Sequence, residues 1–265
     1  MYAIENLLDI MRRLRDPSDG CPWDREQNYR TLVPHTLEEA YEVADTIEQN
    51  DLAHLPDELG DLLFQVVFYA RIGEEEGRFD FEEVAQRICD KLVRRHPHVF
   101  ADAKIGSAEE QTHAWEEHKR QERDRKAMAG RAGVLDGVSL ALPALVRAAK
   151  LQRRAARVGF DWPEVEGVLA KVREELAEVE AECESGAAPE RLAEEVGDLL
   201  FSCVNLARHL RVEPEAALRT ANIKFEQRFR HMENTLRATG GVENASLEEM
   251  DTAWEAVKQS EKTTE

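Results

Sequence analysis

Glu58-Leu-Gly-Asp61-Leu-Leu-Phe64 and Glu195-Val-Gly-Asp198-Leu-Leu-Phe201 are two copies of one phrase, and they decide how the rest of the chain is read. From the first copy onward, Leu59, Leu62, Leu63, Val66, Val67 and Ala70 fall at offsets 0, 3, 4, 7, 8 and 11. That period lays apolar side chains along one face of a helix. Val196, Leu199, Leu200, Cys203, Val204 and Ala207 repeat the offsets. A half-buried strand would alternate at every second residue, and no sustained alternation of β-branched residues occurs in the chain. The prediction is an all-α protein.

Working outward from the phrase, the similarity extends in order along most of the sequence, as a tandem duplication requires. Glu38-Glu39-Ala-Tyr-Glu42-Val43 matches Glu174-Glu175-Leu-Ala-Glu178-Val179. Downstream, Lys91-x-x-Arg94-Arg95 matches Lys224-x-x-Gln227-Arg228, and Trp115-Glu116-x-x-Lys119 matches Trp254-Glu255-x-x-Lys258. The entrances agree too, with Gly20-Cys-Pro-Trp23-Asp24 before the first acidic helix and Gly159-Phe160-Asp161-Trp162 before the second. Asn50-Asp51 with Pro56, and Glu184-Ser-Gly186 with Pro189, break each copy into two helices, giving an αα-hairpin per copy. A charged, then glycine-bearing stretch reads as a linker. The expected division is a helical domain over 1–125, a linker over 126–137 and a second helical domain over 138–265.

Composition limits the function. Thirty-five Lys and Arg against 54 Asp and Glu leave a net charge of −19. A surplus of acid repels a phosphate backbone, so direct nucleic-acid binding is not expected. With 42% hydrophobic residues the chain is a folded protein. The start, Met1 to Asp9, carries acids where a signal peptide needs bases, and the longest apolar stretches reach about half a membrane span. A cytoplasmic protein without a membrane segment is expected. The four cysteines show no C-x-x-C spacing.

On a helix, residues three or four apart share a face, so Glu39 with Glu42 and Glu58 with Asp61 present paired carboxylates, as do Glu175 with Glu178 and Glu195 with Asp198. Packing the apolar stripes of each hairpin brings the four acids together. Like charges so placed repel, and a cation offsets the repulsion. Four oxygen donors without a supporting histidine or cysteine favour Mg²⁺ or Mn²⁺ over zinc, and Mg²⁺ accepts substrate phosphate oxygens as further ligands. A solvated acidic face is the plain alternative, weakened by recurrence of the acids in both copies. A diiron bundle would need a Glu-x-x-His on each of two helices, and only Glu110-x-x-His113 occurs. His96-Pro97-His98 reads as a helix end. Lys91, Arg94 and Arg95, with Lys224 and Arg228, are candidate handles for a polyphosphate or else surface ion pairs. Trp115 and Trp254 suit stacking on a nucleotide or anchoring a helix.

Together, Gly20-Cys-Pro-Trp-Asp24, Leu37-Glu-Glu-x-x-Glu42, Glu58-Leu-Gly-Asp-Leu-Leu-Phe64 and Arg95-His-Pro-His-Val-Phe100 resemble the MazG-type nucleoside triphosphate pyrophosphohydrolases in their tandem two-domain form. The resemblance implies helical domains that complete four-helix-type bundles through a homodimer. It implies Mg²⁺-dependent cleavage of a nucleoside triphosphate to the monophosphate and pyrophosphate. Its metal ligands map to Glu175, Glu178, Glu195 and Asp198, and to Glu39, Glu42, Glu58 and Asp61. It leans toward the C-terminal copy as catalytic, with Lys171, Lys224, Arg228 and Trp254 contacting nucleotide. In the reaction so implied, Lys224 and Arg228 would stabilise the leaving pyrophosphate and Glu174 would take a proton from the attacking water. A different class of function uses the same residues: a non-catalytic nucleotide or alarmone sensor that acts through a regulatory protein partner. A helical dimer with merely acidic rims is the third reading.

Overall fold

A computed structural model describes residues 3–101, 106, 107, 110, 133–237 and 240–262. No strand occurs among them. The chain divides into two compact units, Met1–Lys126 and Ala127–Glu265. Residues 126–132 of the expected linker, His113 and the Trp115-Glu116-x-x-Lys119 block lie outside the described residues.

The N-terminal unit contains α1 (Ala3–Leu14), α2 (Pro22–Glu26), α3 (Val33–Glu48), α4 (Leu55–Glu75), α5 (Phe81–Arg95) and α6 (Pro97–Phe100). Proline at the first turn of α3 and α4 starts each helix where a missing N–H costs nothing. Asp80 caps α5, its Oδ1 accepting from Glu83 N at 2.8 Å. Helix α4 packs on α3 and α1. Its buried side supplies Val67, Phe68 and Ile72 to a core that Met11 and Leu32 complete. Val67 and Phe68 are fully buried, whereas Leu59, Leu63 and Val66, earlier on the same helix, are exposed. The apolar stripe read from sequence is therefore covered only in its later half by this chain.

The C-terminal unit repeats the plan with α7 (Ala144–Ala156), α8 (Val165–Ser185), α9 (Pro189–His209), α10 (Pro214–Leu236) and α11 (Leu247–Lys262). Helix α9 packs on α8 and α7, as α4 does on α3 and α1. Helices α10 and α11 close on a second apolar cluster, Met232, Leu236 and Ala253. The hairpin turns differ in one residue type for the same backbone need. Gly186 sits left-handed at φ +68°, and Asn50 does so at φ +58°. Both close the end of a helix, with Ala187 N donating to Glu182 O and Asp51 N to Thr46 O. Glycine and asparagine are the residues that tolerate this conformation. The turns set the two helices of each hairpin antiparallel, which faces one acid pair toward the other.

Candidate functional site

In both units a carboxylate oxygen from each of three acids lies within 4.8 Å of the others: Glu39, Glu42 and Glu58 in one, Glu175, Glu195 and Asp198 in the other. The fourth acid of each set stands beside its cluster. Burial, followed by the charges of Asp61 and Glu42, raises the Glu39 pKa. Glu178 is raised first by desolvation and then by Glu175, to which it is hydrogen-bonded, and by Glu195. Burial and acidic neighbours both disfavour the charged form of a carboxyl.

The clusters differ in burial. Glu175 and Glu195 are 5% and 3% exposed, while Glu39 and Glu58 are half-buried and Glu42 is exposed. Burying two ionised carboxylates side by side is costly without cations. Lys171, one turn before Glu175 on α8, reaches Glu174 and Glu175, each at 2.7 Å. The two hydrogen bonds raise its pKa. Arg191, one turn before Glu195 on α9, pairs with Glu195, with Glu194 at 2.7 Å and with Glu182 at 3.1 Å. In the N-terminal unit the corresponding positions hold His35 and His54, paired instead with Glu38 (3.7 Å) and Asp51 (2.7 Å). The C-terminal cluster thus combines deeper burial with two permanent cations.

Beside that cluster opens a cavity of about 410 Å³. It is walled by α7, the segment before α8, and α8 and α9, and Lys171, Glu175 and Asp198 are among its lining residues. Asp161 ties the segment to α9, accepting from Arg208 Nη1 at 2.9 Å and His209 Nε2 at 3.0 Å. The Arg208 hydrogen bonds lead the causes that lower its pKa. This holds Phe160 and Trp162 at the cavity wall. Gly167 makes the approach of Trp162 possible, since a Cβ there would lie 2.4 Å from the indole Cδ1.

The equivalent positions of the N-terminal unit carry apolar side chains. Phe68 and Met11 stand where the C-terminal unit has Asn205 and Gln152, and both are fully buried. Trp23 and Phe64 pack edge-on against Phe68, with ring centroids at 6.5 and 5.7 Å, and the Arg15 guanidinium lies 5.4 Å from its ring centre. A cavity of about 130 Å³ occurs between α1, α4 and α5, and none of the four acids lines it.

Other residues expected from sequence are not gathered at the cavity. Lys91, Arg94 and Arg95 stand near the end of α5. Lys224 lines a separate groove with His231 and Glu261. Arg228 is held by Glu261 at 2.6 Å. Trp254 packs against Phe225 and on the α10–α11 cluster. His96 closes α5, its Nδ1 donating to Leu92 O at 2.7 Å. Sequence reading missed Arg191, whose signal was a basic residue four before Glu195, and it missed Gln152, Ser202 and Asn205, whose signal was polarity on the buried faces of α7 and α9.

The fold and sites define a tandem all-α protein that carries a carboxylate cluster in each helical hairpin. The chain belongs to the MazG nucleotide pyrophosphohydrolase domain family, whose model matches residues 27–100 and again 164–233. It is 51% identical to the nucleoside triphosphate pyrophosphohydrolase of Escherichia coli strain K12, over 98% of this chain and 99% of that one. It is 43% identical to the nucleoside triphosphate pyrophosphohydrolase/pyrophosphatase MazG of Thermotoga maritima, over 98% and 97%. A crystal structure of a mazG-related protein from Thermotoga maritima is 35% identical, covering 44% of this chain and 98% of its own, with a TM-score of 0.37. No helix among the described residues is long and apolar enough to cross a membrane.

Proposed function

We propose that this chain is an Mg²⁺-dependent nucleoside triphosphate pyrophosphohydrolase. It cleaves NTP and dNTP at the α–β phosphoanhydride to the monophosphate and pyrophosphate, in cytoplasmic housekeeping of the nucleotide pool. The observation that carries the reading is the Glu175/Glu195/Asp198 cluster, with Glu175 and Glu195 buried and Asp198 exposed, beside a cavity of nucleotide size that Glu175 and Asp198 line. Family membership and the names of the full-length relatives support the reaction class.

The donor set suits a hard cation: oxygen ligands only, close together. Glu175, Glu178, Glu195 and Asp198 would hold Mg²⁺ or Mn²⁺, which when bound neutralises phosphate charge and acidifies a water. Lys171 and Arg191 pair with Glu175 and Glu195, and Lys171 faces the cavity, where it meets the phosphate chain. Glu174, exposed and ion-paired to Lys171, is the group to accept a proton from the attacking water. Lys224 and Arg228 serve the leaving pyrophosphate only if Arg228 exchanges Glu261 for phosphate. Glu39, Glu42, Glu58 and Asp61 form a second divalent-metal site. The domains are 1–125 and 138–265. A second copy of the chain covers the exposed Leu59, Leu63, Val66, Val196 and Leu200.

The test incubates the protein with Mg²⁺ and each common NTP and dNTP and separates monophosphate from diphosphate products. Monophosphate with pyrophosphate is expected. Tight binding of a triphosphate without product would replace the enzyme with a sensor acting through a partner.

A further inference from the structure

One atom in the C-terminal cavity has no counterpart in the acidic chemistry. Gln152 lines the cavity and is 7% exposed. Its Nε2 donates to Phe201 O at 2.8 Å, which fixes the amide orientation. Its Oε1 is buried and accepts from nothing among the described residues. A buried acceptor left unmade costs the desolvation of that group, so native cores rarely keep one without a use. Gln65 in the N-terminal unit also has such an oxygen, but it is not among the residues lining the small cavity there.

Around Gln152 the wall is apolar with a few placed polar groups, the pattern of a small-molecule site. Asn205 accepts from Arg208 Nε at 3.0 Å and Nη2 at 2.6 Å through Oδ1, which orients Nδ2 away from that pair as a donor. Ser202 adds a buried hydroxyl. Phe160 and Trp162 add aromatic side chains to the lining. The alignment of Ile10-Met11-Arg12-Arg13 with Leu151-Gln152-Arg153-Arg154 shows how this arose. Where one copy has a methionine in its core, the other has an amide of nearly the same length, and where one has Phe68 the other has Asn205.

We propose that this cavity seats the nucleobase and that Gln152 is the residue that reads it, Oε1 accepting a hydrogen bond from a base N–H. Every common base carries one at its pairing edge, as an amino group in adenine and cytosine and as a ring N–H in guanine, uracil and thymine. The site therefore accepts the common nucleotides broadly and rejects a base with no such donor. The N-terminal unit has the buried apolar side chains Met11 and Phe68 in place of Gln152 and Asn205 and so lacks these polar groups. This inference rests on the reading that the C-terminal acids act on a nucleoside triphosphate.

The experiment compares ATP with purine riboside triphosphate, which lacks the amino group and any other N–H on its base. The wild-type chain should favour ATP roughly 10-fold or more in kcat/KM, through KM. Gln152→Met, which copies Met11 and conserves volume, should abolish that preference and raise KM for ATP roughly 10- to 100-fold, with kcat little changed. Ser202→Leu, which fills the cavity, should weaken both nucleotides while inorganic tripolyphosphate still raises the melting temperature with Mg²⁺. Equal treatment of the two nucleotides by the wild type overturns the proposal, as does an equal loss on both in Gln152→Met, which would assign the oxygen to a buried water. If Gln152→Met does not fold, the wild-type preference and Ser202→Leu decide. If the wild type turns over no triphosphate, the enzymatic reading fails separately, and calorimetric binding of the same two nucleotides still decides the base site.

Discussion

The two hairpins place the same acids at the same helical positions, yet in one cluster no acid is buried, while in the other Glu175 and Glu195 are buried beside a cavity and Asp198 is exposed. The difference lies less in the carboxylates than in what stands behind them. Phe68 and Met11 belong to the buried apolar core of the N-terminal unit, whereas Asn205, Gln152 and Ser202 line a cavity. Around the acids, His35 and His54 are replaced by Lys171 and Arg191, whose charge does not depend on physiological pH. Both copies keep three acids within 4.8 Å of one another, and their neighbours differ.

The sharpest way to break this comparison is to remove equivalent acids. Glu175→Gln should lower pyrophosphate release by roughly 1,000-fold, while Glu39→Gln should leave it within about 2-fold; equal losses would make the N-terminal unit catalytic too. Circular dichroism checks that both variants fold. The next effect concerns the cores. Phe68→Ala should cost about 3–5 kcal/mol in urea denaturation because it empties a tightly packed site. Asn205→Ala, beside an existing cavity, should cost about 1 kcal/mol.

Arg191→Met removes a cation from buried Glu195 and should lower the thermal midpoint of the metal-free protein, an effect moderated by the half-exposure of the arginine. Millimolar Mg²⁺ should restore most of the loss, as read by the midpoint of thermal unfolding. The smallest effect is on pH. Glu39 and Glu178 have folded pKa values raised above their unfolded ones. Their contribution to stability is therefore present in acid and declines as pH rises from the ordinary carboxylate range through the raised values. The stabilisation by Mg²⁺ should accordingly be largest at neutral pH and shrink on acidification. A Mg²⁺ shift independent of pH would remove these carboxyls from the metal site.

Residues set by local periodicity were legible before any coordinates. The stripe from Leu59 to Ala70, the i,i+3 acid pairs and the breaks at Asn50 and Gly186 depend on neighbours within one or two turns of a helix, and a string of residues displays those directly. Lys171 came only through family resemblance, and Arg191 was passed over because many Arg–Glu pairs at helical spacing do nothing.

The sequence by itself determined the all-α fold, the duplication and the eight acids, because each follows from a repeated short-range pattern. Tertiary structure alone decided which cluster is buried, and that Lys224, Arg228 and Trp254 sit on the α10–α11 hairpin apart from the cavity lining. It also decided that Gln152 faces a void where Met11 meets a ring. Burial and empty space are sums over side chains from several helices, so no single segment of the chain carries them.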